Sequence, residues 1–170
     1  MDPVERILRQ WKVERPDLDT SPMGVIGRLS RASAAVDARL EATFSRHGLD
    51  AGAFDVMATL VRQGPPYRLA PVELAAEAMI TSSAVAQRLN RLESGGFVTR
   101  VANPNDGRGK FVQLTPAGKD VVDRVLPEHL ATEETMLEPL DKRERAVLAG
   151  LLARLAESSS GREPRLAERE

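Results

Sequence analysis

The stretch LAPVELAAEAMITSSAVAQRLNRLESGGFVTRVANPNDGRGKFVQLTPAG, residues 69–118, decides the fold. Pro71 suits the first turn of a helix, where its missing N–H would have no partner, and that helix is expected to reach about Met79. Ile80-Thr81-Ser82-Ser83 breaks the pattern and offers hydroxyls to cap a second helix, which Gly95-Gly96 stops. Phe97 to Val101 and Lys110 to Leu114 read as short strands. Asn103-Pro104-Asn105-Asp106-Gly107 between them is dense in turn formers. Two short helices with a tight turn and a hairpin behind them predict a winged helix-turn-helix.

The second helix sorts by face. At about 100° per residue, Val85, Leu89 and Leu92 share one side. Ser83, Gln87 and Ser94 lie opposite, flanked by Asn90 and Arg91. Small polar side chains suited to base edges and phosphates therefore line the outer face, which Ser82 begins. A merely solvated face would look similar, but the wing weighs against that reading. Arg108 and Lys110 flank a Gly-rich tip fit for a phosphate or minor-groove contact. Residues 82–110 carry a net charge of +3, against −1 for the whole chain. Double-stranded DNA is thus the expected partner, met by Ser82, Ser83, Gln87, Asn90, Arg91, Arg108 and Lys110.

The rest of the chain reads as mainly helical. Residues 2 to 14 place Val4, Ile7, Leu8 and Trp11 at helical spacing, ended by the approach to Pro16. Ser21 or Thr20 caps a long helix through Met23, Ile26, Leu29, Val36, Leu40 and Phe44. Asp50 opens a third helix that Gly64-Pro65-Pro66 ends. Thr115-Pro116 starts another, with Pro127 expected to kink or split it. Asp141 caps the last helix, which carries Val147, Leu148, Leu151, Leu152 and Leu155. Residues 158–170 are polar, lack periodicity and read as a disordered tail. The expected layout is an extra helix and linker over 1–20, and a winged-helix domain with dimerisation helices over 21–157. Its DNA-binding core spans about 50–118. The N- and C-terminal helices hold more apolar residues than one small core needs. Pairing them in a homodimer would set two recognition helices roughly 34 Å apart. A larger monomer is the alternative.

The run Asp106-x-Arg108-x-x-x-Val112-x-Leu114-Thr115-x-x-Gly118 resembles the wing of the multiple-antibiotic-resistance regulator (MarR) family. Leu89-x-x-Leu92-Glu93-x-x-Gly96-Phe97-Val98-x-Arg100 precedes it at the matching distance, and the resemblance covers about Met23 to Leu155. It implies a dimeric regulator bound to a palindromic operator and released by a small ligand, which is the behaviour of a repressor. Where that family often has a second wing Arg, this chain has Gly107. Trp11-Lys12-x-Glu14-Arg15-Pro16-Asp17-Leu18-Asp19-x-Ser21-Pro22-Met23 is similar to the start of the family's urate-responsive branch. Phe54-Asp55-Val56 and Gly64-Pro65-Pro66-Tyr67 match that branch too. The likeness implies a ligand site on Trp11, Asp55, Arg88 and Arg100.

The residues bear on that site independently. Asp55 lies in an apolar helix, where a carboxylate needs a partner. Arg88 lies about 60° from the apolar stripe, so it points towards the scaffold more than towards DNA. Trp11, the one tryptophan, offers a flat face. A planar anionic purine such as urate, or another aromatic acid, would stack on Trp11 and pair with Arg88 or Arg100. The plainer alternative is a structural Asp55–Arg88 ion pair with Trp11 as a core residue.

Composition excludes several classes. There is no cysteine, hence no disulfide, thiolate zinc site or thiol switch. No apolar run spans a membrane and no signal peptide is visible, so a cytoplasmic protein is expected. Near-neutral charge argues against non-specific coating of nucleic acid. Glu128-His129 with Glu133 and Glu134 is a poor metal set, and no cofactor is expected. No nucleophile elbow, phosphate loop or dinucleotide fingerprint occurs, so an enzyme is the least favoured class. The remaining alternative is a ligand-independent winged-helix module for DNA architecture or protein contact.

Overall fold

A computed structural model describes residues 2–78, 82–103 and 106–160, with side chains at 82–85, 106–108 and 159–160 outside that description. The elements run α1 (Pro3–Glu14), α2 (Ser21–Ser45), α3 (Ala51–Arg62), β1 (Arg68–Leu69), α4 (Pro71–Glu77), α5 (Ser82–Ser94), β2 (Val98–Asn103), β3 (Asp106–Leu114), α6 (Pro116–Leu137) and α7 (Lys142–Ser160). They form two compact units, one ending at Thr132 and one beginning at Glu133. The first is the winged helix-turn-helix, with α1 and α2 before it and most of α6 after it.

Local chemistry explains most boundaries. Asp2 caps α1 by accepting from Val4 N at 2.9 Å, and Asp50 caps α3 by accepting from Ala53 N at 2.7 Å. The start of α2 differs from expectation. Neither Thr20 nor Ser21 caps with its hydroxyl. The Asp19 carboxylate accepts from Ser21 N at 2.9 Å and from Ser21 Oγ at 3.0 Å. At α7, Asp141 accepts from Glu144 N and Glu144 accepts from Asp141 N, both at 2.8 Å, which is a reciprocal capping box. Pro127 does not split α6, which is one helix from Pro116 to Leu137. Helix α7 continues to Ser160, so it ends beyond the start expected for the polar tail. The tail from 161 onward lies outside the described residues.

The sheet has three strands in the order β1-β3-β2, all antiparallel, where two were expected. Arg68 pairs with Gln113 and Leu69 with Val112, so the short segment after α3 fastens the wing from its other side. The hairpin strands are also longer than predicted, with Val98 opposite Leu114 and Asn103 opposite Asp106.

One core unites α2, α3, α4, α5, the sheet and α6. Phe44, Met57, Leu60, Leu74, Val112 and Val122 are among its fully buried side chains. Leu89 and Leu92 of α5 are buried with them, as the face analysis requires. Phe44 and Phe54 stack with centroids 4.8 Å apart, and His129 of α6 packs on both rings. Thr43 and Thr132 share a 2.9 Å hydrogen bond beside that stack. Glu128, read from sequence as a weak metal candidate, accepts from Arg46 at 3.1 Å. Its other oxygen lies 3.1 Å from His47 Nε2. The nearness of His47 and Arg46 holds its carboxyl below the ordinary range. Among the described residues no cluster fits a metal ion, and no helix is long and apolar enough to cross a membrane.

Candidate DNA interface and ligand site

Helix α5 presents its polar side outward. Gln87, Asn90 and Arg91 lie on that side, and Lys110 is exposed on β3. Ser82, Ser83 and Arg108 carry the same expectation, but their side chains lie outside the described residues. Arg91 makes a loose ion pair with Asp50 Oδ2 at 3.6 Å, but its side chain is 78% exposed. Asn90 is only partly available. Its Oδ1 accepts from Arg100 Nη2 at 2.8 Å, and Arg100 Nη1 lies 3.5 Å from Glu93. Arg100 therefore ties the first wing strand to the recognition helix.

The helix ends where the wing must start. Gly96 takes φ +74°, a left-handed value that a Cβ would disfavour, and Phe97 N then donates back to Leu92 O. Thr115 closes the other end of the hairpin. Its N–H donates to Phe97 O at 3.0 Å, its hydroxyl donates to Gly96 O at 2.8 Å, and that hydroxyl accepts from Gly118 N at 3.0 Å.

The four expected ligand-site residues are unequally assembled within one chain. Arg88 turns inward from α5 and lies over Gly52 of α3, in a recess lined also by Glu41, Asp50, Ala51, Gln87 and Arg91. Its Nη1 is buried and has no hydrogen-bond partner among the described residues. Asp55 lies one turn further along α3, and its side chain is exposed rather than enclosed in the core as its apolar neighbours suggested. Partial burial still raises its carboxyl above the ordinary value, while the charges of Arg88, His129 and Arg62 pull it back. No direct Asp55–Arg88 ion pair forms among the described residues, so the two are electrostatic neighbours only. Trp11 is 41% exposed on α1 and is no core residue. It lines neither the Arg88 recess nor the small cleft of Asp55, Thr59, Arg62 and Glu77. Arg100 is engaged by Asn90 and Glu93.

A family model described as MarR family matches residues 47–109, from just before α3 through the wing tip. The HTH-type transcriptional regulator PecS of Dickeya dadantii (strain 3937) is 41% identical over 152 residues, which cover 89% of this chain and 92% of PecS. The chain belongs to the MarR family. Its fold agrees with that of Sco3205, a MarR family transcriptional regulator from Streptomyces coelicolor solved in complex with DNA. The TM-score is 0.76 at 27% identity, covering 89% of this chain and 94% of Sco3205. BpsR of Bordetella bronchiseptica, whose DNA binding is regulated by 6-hydroxynicotinic acid, aligns with a TM-score of 0.69 at 25% identity. That alignment covers 78% of this chain and 98% of BpsR. As a MarR protein the chain is a DNA-binding transcription regulator rather than an enzyme.

Sequence reasoning missed three parts of this MarR site. The pairing of Asn90 with Arg100 depends on how the hairpin folds back on α5. The seat of Arg88 on Gly52 had one signal, a glycine in the first turn of a helix that has no need of one. Strand β1 had none, because two residues carry no periodicity.

Proposed function

We propose that this MarR protein is a repressor that binds a palindromic operator as a homodimer and is released by a planar anionic ligand of the urate or aromatic-acid type. The observation that carries the ligand class is Arg88. A guanidinium whose buried Nη1 has no acceptor among the described residues is costly, and a carboxylate or urate oxygen would satisfy it with a charge-assisted bond. The regulation of BpsR by a hydroxylated aromatic acid supports the same class. The resemblance to the urate-responsive branch supports Trp11, Asp55, Arg88 and Arg100 as the site. The extra helix of that branch would be α1.

Release follows from where these groups sit. Arg88 and Arg100 both link the DNA-reading parts to something else: Arg88 joins α5 to α3, and Arg100 joins β2 to α5. An anion that pairs with Arg88 in its place on α3, or draws Arg100 off Asn90, acts on those links. It favours a dimer whose recognition helices no longer match successive major grooves. The dimer itself is supported by apolar side chains left exposed on helices outside the DNA-reading core, such as Ile26 of α2, Leu130 of α6 and Leu148 and Leu151 of α7.

The test is titration with urate and with 6-hydroxynicotinic acid, following Trp11 fluorescence and an operator mobility shift together. Saturable quenching over the range that releases DNA is expected, and Asp55→Ala should impair release more than DNA binding. Normal release by Asp55→Ala would refute the site. Release without quenching would remove Trp11 from it.

A further inference from the structure

Glycine in a helix loses backbone entropy relative to alanine and needs a reason to be there. Gly52 is the second residue of α3, it is buried, and its φ is not among the left-handed values of the chain. The turn geometry therefore does not require it. What requires it is Arg88. A Cβ on Gly52 would overlap Nε and Cζ of Arg88 and lie 2.6 Å from its Nη2. The guanidinium rests directly on the backbone of α3 where a side chain would otherwise stand. No other residue could occupy position 52 with Arg88 in place.

We propose that Gly52 is a positioning residue, whose missing side chain seats Arg88 on α3 and so joins the recognition helix to the ligand site. The proposal deepens the reading of Arg88 as a ligand residue and rests on it for its regulatory part. The seat fixes where the guanidinium is presented. It also gives α5 a second attachment to α3, besides the buried Leu89 and Leu92. With a Cβ at position 52, Arg88 must leave. The obstacle is the far end of a flexible side chain, so the displacement leaves the backbone of α3 intact. Alanine is also the better helix former, so a lost response cannot be blamed on a weaker helix.

The experiment compares wild type, Gly52→Ala, Arg88→Ala and the double variant as full-length protein. The Nε–Hε resonance of Arg88, assigned by its loss in Arg88→Ala, reads the seat without any ligand. Gly52→Ala should shift it and speed its exchange with water, with helical circular dichroism retained. At operator occupancy matched to wild type, the urate concentration for half-release should rise at least tenfold in Gly52→Ala and in Arg88→Ala. The double variant should be no worse than Arg88→Ala, because Gly52 acts only through Arg88. An unchanged Arg88 resonance in Gly52→Ala overturns the proposal. So does a double variant whose defect is the product of the two single defects. If the resonance moves but urate fails to release even wild type, the seat stands and the urate reading falls. Should Gly52→Ala fail to fold, the Arg88→Ala background removes the clash, and failure to fold there too would overturn the proposal.

Discussion

Replacing Gly118 with alanine would drive a methyl group into the root of the wing. Gly118 is buried in the first turn of α6, and its added Cβ would overlap the carbonyl oxygen of Phe97. It would also lie 2.8 Å from Leu114 Cδ1 and 3.0 Å from the carbonyl carbon of Phe97. The chief obstacle is backbone, so relief requires α6 and β2 to part. Overpacking of this kind costs about 1–3 kcal/mol. Weakening the Thr115 bonds to Gly96 and Phe97 adds about 1 kcal/mol, and the better helix propensity of alanine returns about as much. The net loss is about 2 kcal/mol, a fall in Tm of roughly 4–8 °C for a chain of this size. Differential scanning calorimetry of the DNA-free protein measures it, and a mobility shift should show weaker operator binding because the wing root has moved. An unchanged or raised Tm would refute the close approach of α6 to Phe97.

Three further outcomes are expected. Arg91→Ala with Arg108→Ala should weaken operator binding and flatten its salt dependence, by about 0.9 in slope for each phosphate left without its cation; an unchanged slope in fluorescence-anisotropy titrations would count against both side chains as phosphate partners. Leu151→Asp in α7, where Leu151 is 52% exposed, should halve the mass seen by light scattering while helix content is kept; a retained dimer mass would place the interface elsewhere. Asp55→Asn should stabilise the fold at neutral pH. Burial lifts the folded carboxyl above its ordinary 3.8, so its ionisation opposes folding, and the penalty grows as pH rises from 3.8 through the raised value. Melts at pH 7 and near pH 4 should show the variant's advantage only at the higher pH, and an advantage of equal size at both would refute the cause.

Periodicity and caps made most of the fold legible. Leu89 and Leu92 announced the buried side of α5, Asp50 and Asp141 announced helix starts, and Gly95-Gly96 announced a stop. These signals are local, and local physics sets them. Tertiary choices were less visible. Asp19 rather than Thr20 or Ser21 satisfies the start of α2, because the chain turns so that its carboxylate reaches Ser21. Pro127 is exposed and the rest of α6 is held by the buried Val121, Val122 and Val125, so the helix passes through it. Asp55 sits between two buried residues in sequence, yet a helix turns about 100° per residue, and that turn is enough to carry it outward. Trp11 and Arg100 were chosen by resemblance. Nothing in their spacing told that one would stand exposed on α1 and the other would be engaged by Asn90 and Glu93.

The clasp of Arg100 on Asn90 and Glu93, together with the Thr115 bonds at the base of β3, has a mechanical consequence. Helix and wing braced in this way are coupled, so that moving one draws on the other. In the proposed complex recognition helix and wing would move together, so that a subunit would hold or lose both grooves at once. The proposed ligand would then act on helix and wing together. A palindromic operator would in turn be judged by the distance between its halves as strictly as by the bases within each. Inserting one base pair at the centre of a palindrome should harm binding more than many single base changes, because the helix and the first wing strand of one head are tied together.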